Sequence, residues 1–171
     1  DLNNNNGYLN YDGNLNSFSK YKFSKIKNFN KVQSEIIVFN NKVIFFDNKG
    51  TLLMFNNNSK LEWKKNLYTK SEKKLGPILS MSIENNILVV VDNLARYYAI
   101  DVDTGKLIWN KRNSSQFNSQ IKIKDDKFYV VDYQNTLRCF SLKTGNELWN
   151  VNTESSFIKS NKKLSIALTK D

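Results

Sequence analysis

The chain has 171 residues, 40% hydrophobic and 25% charged, with 26 Lys plus Arg against 16 Asp plus Glu and a net charge of +10. It holds no His and one Cys, which excludes an internal disulfide and the usual Ser-His-Asp, Cys-His and zinc-site chemistries. No run approaches the ~20 apolar residues that span a bilayer, and the lysines are scattered over turns and strand ends rather than clustered as a nucleic-acid footprint would be.

In chain order, residues 1–33 open with the low-complexity Asn3–Asn6 and lack an initiator Met. From Gly7 to Phe23 apolar and polar residues alternate like an outer strand, so this part is expected to be the end of a preceding unit. The basic, aromatic-interleaved run Lys22–Lys31 reads as a solvated strand or loop face. A repeating pattern follows. Asn40-Asn41, Asn85-Asn86 and Asp125-Asp126 each precede a β-branched and aromatic run that ends on Asp47, Asp92 and Asp132. Asn and Asp tolerate the left-handed backbone that tight hairpins need. Strand-like runs precede each turn (36–39, 78–83, 121–124), and a third run follows each aspartate (51–55, 96–100, 136–140).

A last strand closes each copy on the only three tryptophans, Trp63, Trp109 and Trp149. The spacings are 46 residues from 63 to 109 and 40 from 109 to 149. Four short β-rich runs per period of about 40–45 residues are the mark of propeller blades. The predicted fold is all-β, a propeller of four-stranded antiparallel blades. The expected units are a partial blade at 1–33, blades at 34–76, 77–116 and 117–156, and the start of a further blade at 157–171. At about four blades' length, the chain reads as a segment of a longer propeller.

Trp63, Trp109 and Trp149 recur in phase, which favours blade-to-blade docking over ligand stacking. Gly105 and Gly145, each after a Thr, are expected to reverse the chain before the tryptophan strand. In the first copy Asn56-Asn57-Asn58-Ser59 replaces this turn. Asp47, Asp92 and Asp132 could be taken for calcium ligands, but one per copy is what a structural turn role predicts, through Asx-type hydrogen bonds. Cys139 reads as a small buried hydrophobe. Candidate partner contacts fall on the long connections and rims: Phe117 and Phe157, which would contact a partner if exposed and otherwise bury against the neighbouring blade, and Arg138, Lys73 and Lys74.

The run Ala99-Ile-Asp101-Val-Asp103-Thr104-Gly105-Lys-Leu-Ile-Trp109, with partial forms at Cys139–Trp149 and before Trp63, resembles the repeat of the PQQ-like β-propeller superfamily. Phe117–Ile121, Val131–Phe140 and Thr153–Ser160 give a closer likeness to the bacterial outer-membrane β-barrel assembly lipoproteins. That resemblance implies an eight-bladed, non-enzymatic periplasmic scaffold without a cofactor. Its partners would be outer-membrane barrel-assembly proteins and nascent barrel proteins, not nucleic acid, and its membrane association would run through a lipid anchor outside this segment. The alternative is a fragment of a PQQ- and calcium-dependent quinoprotein dehydrogenase. In that superfamily the quinone commonly stacks on a disulfide of adjacent cysteines, which a single Cys rules out within this segment.

Overall fold

The computed structural model describes residues 18, 20, 21, 35–153 and 163–169. Its β-strands form three four-stranded antiparallel sheets, each a meander in which sequential strands are neighbours. The first sheet holds β1 (Ile37–Phe39), β2 (Lys42–Phe46), β3 (Leu52–Phe55) and β4 (Leu61–Lys65). The second holds β5 (Leu79–Glu84), β6 (Ile87–Asp92), β7 (Arg96–Asp101) and β8 (Leu107–Arg112). The third holds β9 (Lys122–Lys124), β10 (Lys127–Val131), β11 (Thr136–Ser141) and β12 (Glu147–Asn152). One short helix, α1 (Lys70–Lys74), lies in the connection from the first sheet to the second.

The local chemistry repeats with the sequence. Both residues of each first hairpin turn take positive φ: Asn40 and Asn41, Asn85 and Asn86, Asp125 and Asp126. That is the backbone of a two-residue turn whose twist matches the flanking strands. In the next turn the third residue has positive φ, at Gly50, Ala95 and Asn135. Alanine tolerates this region least of the three, because its Cβ meets backbone there. Ala95→Gly is therefore expected to raise stability by about 0.5–1 kcal/mol, measured as a shift of the urea midpoint at constant slope. In all three sheets the register of third and fourth strands slips at one equivalent place, between Met54 and Phe55, Ala99 and Ile100, and Cys139 and Phe140. The bulge leads the chain into the turn before the tryptophan strand.

Alternation along the strands sends the two faces of the second sheet to different cores. Leu79, Met81, Ile83, Leu88, Val90, Tyr98 and Ile100 pack with Ile44, Phe46, Leu52 and Met54 of the first sheet. Val89, Val91, Tyr97, Ala99 and Trp109 pack with Ile123, Phe128, Val130 and Phe140 of the third. The second sheet is thus buried on both sides, which no single meander could achieve. The outer face of the first sheet carries Phe45, Leu53 and Phe55, with Tyr21 edge-on to Phe55 at 5.4 Å between ring centroids. Tyr21 is one of three described residues of the unit expected at 1–33. Of the one expected at 157–171, residues 163–169 are described; they form no strand, and Leu164 makes an isolated parallel bridge with Ser119.

Candidate functional site

Each sheet docks on the next through one repeated contact. The Trp63 Nε1–H donates to the Val102 carbonyl at 2.8 Å, and the Trp109 Nε1–H donates to the Leu142 carbonyl at 3.0 Å. Val102 and Leu142 hold the same place in successive sheets, three residues before Gly105 and Gly145. Those glycines have positive φ, and a Cβ on either would stand 2.8 Å from the Trp63 ring or 2.7 Å from the Trp109 ring. Here glycine both turns the chain and lets the indole lie flat on it. Trp109 is further held by Phe128, stacked at 5.8 Å, and by the edge of Tyr97 at 5.7 Å.

Trp149 is placed differently. It is 43% exposed, touches Tyr129 at 6.0 Å, and among the described residues no fourth four-stranded sheet covers it. Leu148 and Val151 beside it are exposed as well.

The recurrent aspartates are buried and spend their carboxylates on the chain itself. Oδ1 of Asp47 accepts the Lys49 and Thr51 N–H groups, that of Asp92 those of Leu94 and Arg96, and that of Asp132 those of Gln134 and Thr136. In Asp92 and Asp132 the second oxygen also reaches the connection from the preceding sheet. Asp92 Oδ2 accepts from the Tyr68 hydroxyl at 2.5 Å, and Asp132 Oδ2 from Asn113 Nδ2 at 3.3 Å and Arg138 Nε at 2.7 Å. Burial raises the Asp92 carboxyl above its ordinary range, opposed by the Tyr68 hydroxyl and the turn amides. Burial also pushes the Tyr68 hydroxyl far up, with Tyr98 and Asp92 adding to the rise. This pair is a buried hydrogen bond that ties the turn of the second sheet to the connection before it.

The first connection carries a clamp that no motif in the sequence announces as a whole. Thr69 and Glu72 form a capping box at the start of α1. Glu72 Oε1 then accepts from Arg96 Nη2 at 2.8 Å and from Arg112 Nη2, while Arg96 Nη1 donates to the Leu67 carbonyl and its guanidinium lies over the Tyr68 ring. The Thr69-x-x-Glu72 spacing was the available signal for the cap; the arginine partners, 24 and 40 residues away, left none. The Thr69 hydrogen bonds and the two arginines hold the Glu72 carboxyl down at about 2, below the ordinary 4.5. Because the folded value is lowered, its stabilising share is complete above 4.5 and is lost as pH falls toward 2. Glu72→Gln is expected to lower the melting temperature near neutral pH, with the gap to wild type closing through that window. An undiminished gap at about pH 2 would contradict this.

The other candidate contact residues fall in different surroundings. Phe117 is 6% exposed and lies edge-on to Tyr97 in the core between the second and third sheets. The Arg138 side chain, 11% exposed, is turned inward between Asp132 and Glu147 rather than standing free on a rim. Lys73 and Lys74 lie in the last turn of α1, half-buried and exposed, beside the exposed Leu75. Phe157 lies outside the described residues. Cys139 is buried on β11, and burial raises its thiol, so the reactive thiolate is disfavoured.

A cleft of about 170 Å³ between the second and third sheets is lined by residues including Ser80, Asp92, Phe117, Ser119 and Lys163. Its polar groups are largely committed. Asp92 holds its turn and Tyr68, Ser119 Oγ accepts the Val131 N–H, and Lys163 pairs with Glu35. Among the described residues, no group of three or more His, Cys, Asp or Glu could hold a metal ion. No helix among them is long and apolar enough to cross a membrane.

Comparison with solved structures returns BamB from Moraxella catarrhalis at a TM-score of 0.59 and 17% identity, over 70% of this chain and 35% of that one. A europium-containing methanol dehydrogenase matches at 0.59 and 12% identity, over 70% of this chain and 24% of that one. The computationally designed Ika8 protein matches at 0.63 and 12%, over 79% and 39%. At these identities the likeness shows the fold alone, and the chain spans about a third of the BamB chain's length. No curated protein matches the sequence. The family described as outer membrane protein assembly factor BamB matches residues 48–171, most of the sequence. On that match the chain belongs to the BamB family of PQQ-like β-propeller proteins.

Proposed function

We propose that this chain is part of a non-enzymatic scaffold at the periplasmic face of the outer membrane, which binds barrel-assembly proteins during insertion of β-barrel proteins. The family match over residues 48–171 is the observation that carries this reading. The repeated residues are consistent with it. Their indoles, carboxylates and glycines are spent on stacking sheets and closing turns, which makes a rigid body that presents its connections.

The first connection is the best-built candidate contact. α1 is pinned by Glu72 to Arg96 and Arg112, with Lys74 and Leu75 exposed and Lys73 half-buried beside them. Lys and Leu side by side suit a partner surface that mixes carboxylates with apolar groups. The test is photo-crosslinking from position 75 in a Gram-negative envelope. Adducts with outer-membrane assembly proteins are expected, and they should fall at least about tenfold in a Lys73→Glu, Lys74→Glu double variant. Absence of any such adduct from the whole protein would sink the reading.

The second reading, a quinoprotein dehydrogenase fragment, has a fold likeness at 12% identity behind it. It predicts that PQQ with calcium changes the quinone absorbance and raises the melting temperature; the scaffold reading predicts neither.

A further inference from the structure

Three residues past each tryptophan stands a side chain that bonds to its own sheet beside the preceding turn. After Trp63 it is Asn66, whose Nδ2 donates to the Lys49 carbonyl at 3.0 Å and to Thr51 Oγ1 at 2.9 Å. After Trp149 it is Asn152, whose Oδ1 accepts from the Thr136 hydroxyl. After Trp109 the position holds Arg112, whose Nη1 reaches the Leu94 carbonyl, the counterpart of that of Lys49, at 3.4 Å. A short amide does this in two copies. The arginine does it at longer range and adds a charge that the turn does not need, and such departures from a repeated local rule concentrate at functional positions.

Arg112 is held in one orientation. Its Nη2 donates to Glu72 Oε1, and Glu72 is itself fixed by the Thr69 capping box and by Arg96. Even so, 57% of the Arg112 side chain is exposed, against 10% for Arg96. Glu72 therefore answers the inner guanidinium and covers the outer one only in part. A planar guanidinium, oriented in advance and open on one side, is well suited to pair with a second carboxylate.

The surroundings have the same sign. Lys70 and Lys74 of α1 are exposed and Lys73 is half-buried, and among the described residues none of the three is in an ion pair. The carboxylates at this end of the first two sheets turn inward: Asp47 and Asp92 hold turn amides, and Glu72 holds the clamp. At the opposite end, where the two-residue hairpin turns lie, charges are matched, Lys42 with Asp103 and Lys143 with Asp126. Unmatched positive charge thus gathers around α1, beside the exposed Leu75 at its C-cap.

We propose that Arg112 anchors an acidic segment of a partner protein, with Lys70 and Lys74 flanking its carboxylates and Leu75 meeting an apolar residue between them. Charge complementarity of this kind sets which partner docks and how fast. That the occupant is a protein rests on the scaffold reading; the carboxylate-binding surface does not.

The test uses the full chain and a fluorescent nine-residue peptide with Glu at alternate positions and Leu between, followed by anisotropy. Arg112→Asn installs the residue that the other two copies carry, and should weaken binding about tenfold while leaving the protein folded by thermal melt. Arg112→Lys keeps the charge without the planar fork and should weaken it about threefold. Lys70→Glu with Lys74→Glu, both on exposed side chains, should weaken it at least about tenfold, which keeps the proposal open to refutation if Arg112→Asn does not fold. Lys143→Gln, at the opposite end, should bind as wild type does, and the peptide with Gln in place of Glu should not bind. Equal binding by wild type and a folded Arg112→Asn, or by the Glu and Gln peptides, would overturn the proposal. So would phosphatidylglycerol vesicles that bind through Arg112 when the peptide does not, since the surface would then belong to an anionic membrane. The assay contains no envelope protein. Failure here with crosslinks from position 75 intact removes the carboxylate anchor and leaves the scaffold reading; binding here without crosslinks does the reverse.

Discussion

Trp109→Ala should lower stability by about 3–5 kcal/mol, the cost of emptying a large buried aromatic site. Trp149→Ala should cost no more than about 1 kcal/mol. The two residues occupy equivalent positions in successive copies, so sequence alone assigns them equal weight. The difference is what lies on the indole. Trp109 is 9% exposed, bonded to the Leu142 carbonyl and packed on Gly145, Phe128 and Tyr97. Trp149 is 43% exposed and rests on Tyr129. Trp63, half-buried on Gly105, should fall between them. Chemical denaturation of the three single variants gives the order directly, and a loss at Trp149 equal to that at Trp109 would mean the outer face of the third sheet is covered.

Asp132→Ala is expected to cost about 3–5 kcal/mol, because it removes one member of a buried ion pair and strands the other. The carboxylate is fully buried. It accepts the Gln134 and Thr136 amides on one oxygen and Arg138 and Asn113 on the other. Arg138 would keep Glu147 but lose its inner partner. Asp132→Asn can retain the acceptor for the turn amides, and should cost roughly half as much. If the aspartates were calcium ligands instead, calcium would raise the melting temperature of wild type and not of Asp132→Ala. With the carboxylates spent on turn amides and Arg138, no calcium-dependent shift is expected in either protein.

The repeat was legible because each element that makes a blade leaves a residue type at a fixed phase. Asn-Asn and Asp-Asp fall where two successive residues need positive φ, aspartate where a buried turn needs an acceptor, and Trp where an indole must reach a carbonyl. What was not legible lies between copies. The pairing of Glu72 with Arg96 and Arg112 depends on how the connection folds back over the second sheet, and no local pattern encodes that. Arg138 looked like a rim cation because its neighbours in sequence are polar or apolar without a carboxylate. The register of β11 against β12 and the position of Asp132 bring two carboxylates to it. Phe117 sits in a connection and lies buried edge-on to Tyr97, which is the burial the sequence reading had allowed for it. The helix α1 went unread for a plainer reason, since five residues give no helical period to detect.

The central claim is that an indole at the end of one sheet docks on the glycine turn of the next, and that this contact makes the stacked body rigid. A double-mutant cycle between Trp109→Ala and Gly145→Ala measures it most directly. Gly145→Ala alone should be costly, because a Cβ would stand 2.7 Å from the indole and at positive φ. In the Trp109→Ala background the steric part disappears and only the backbone strain remains, so the two losses should fall short of additive by about 1–3 kcal/mol. Strict additivity would mean that the indole and the turn do not touch, and would contradict the docking claim.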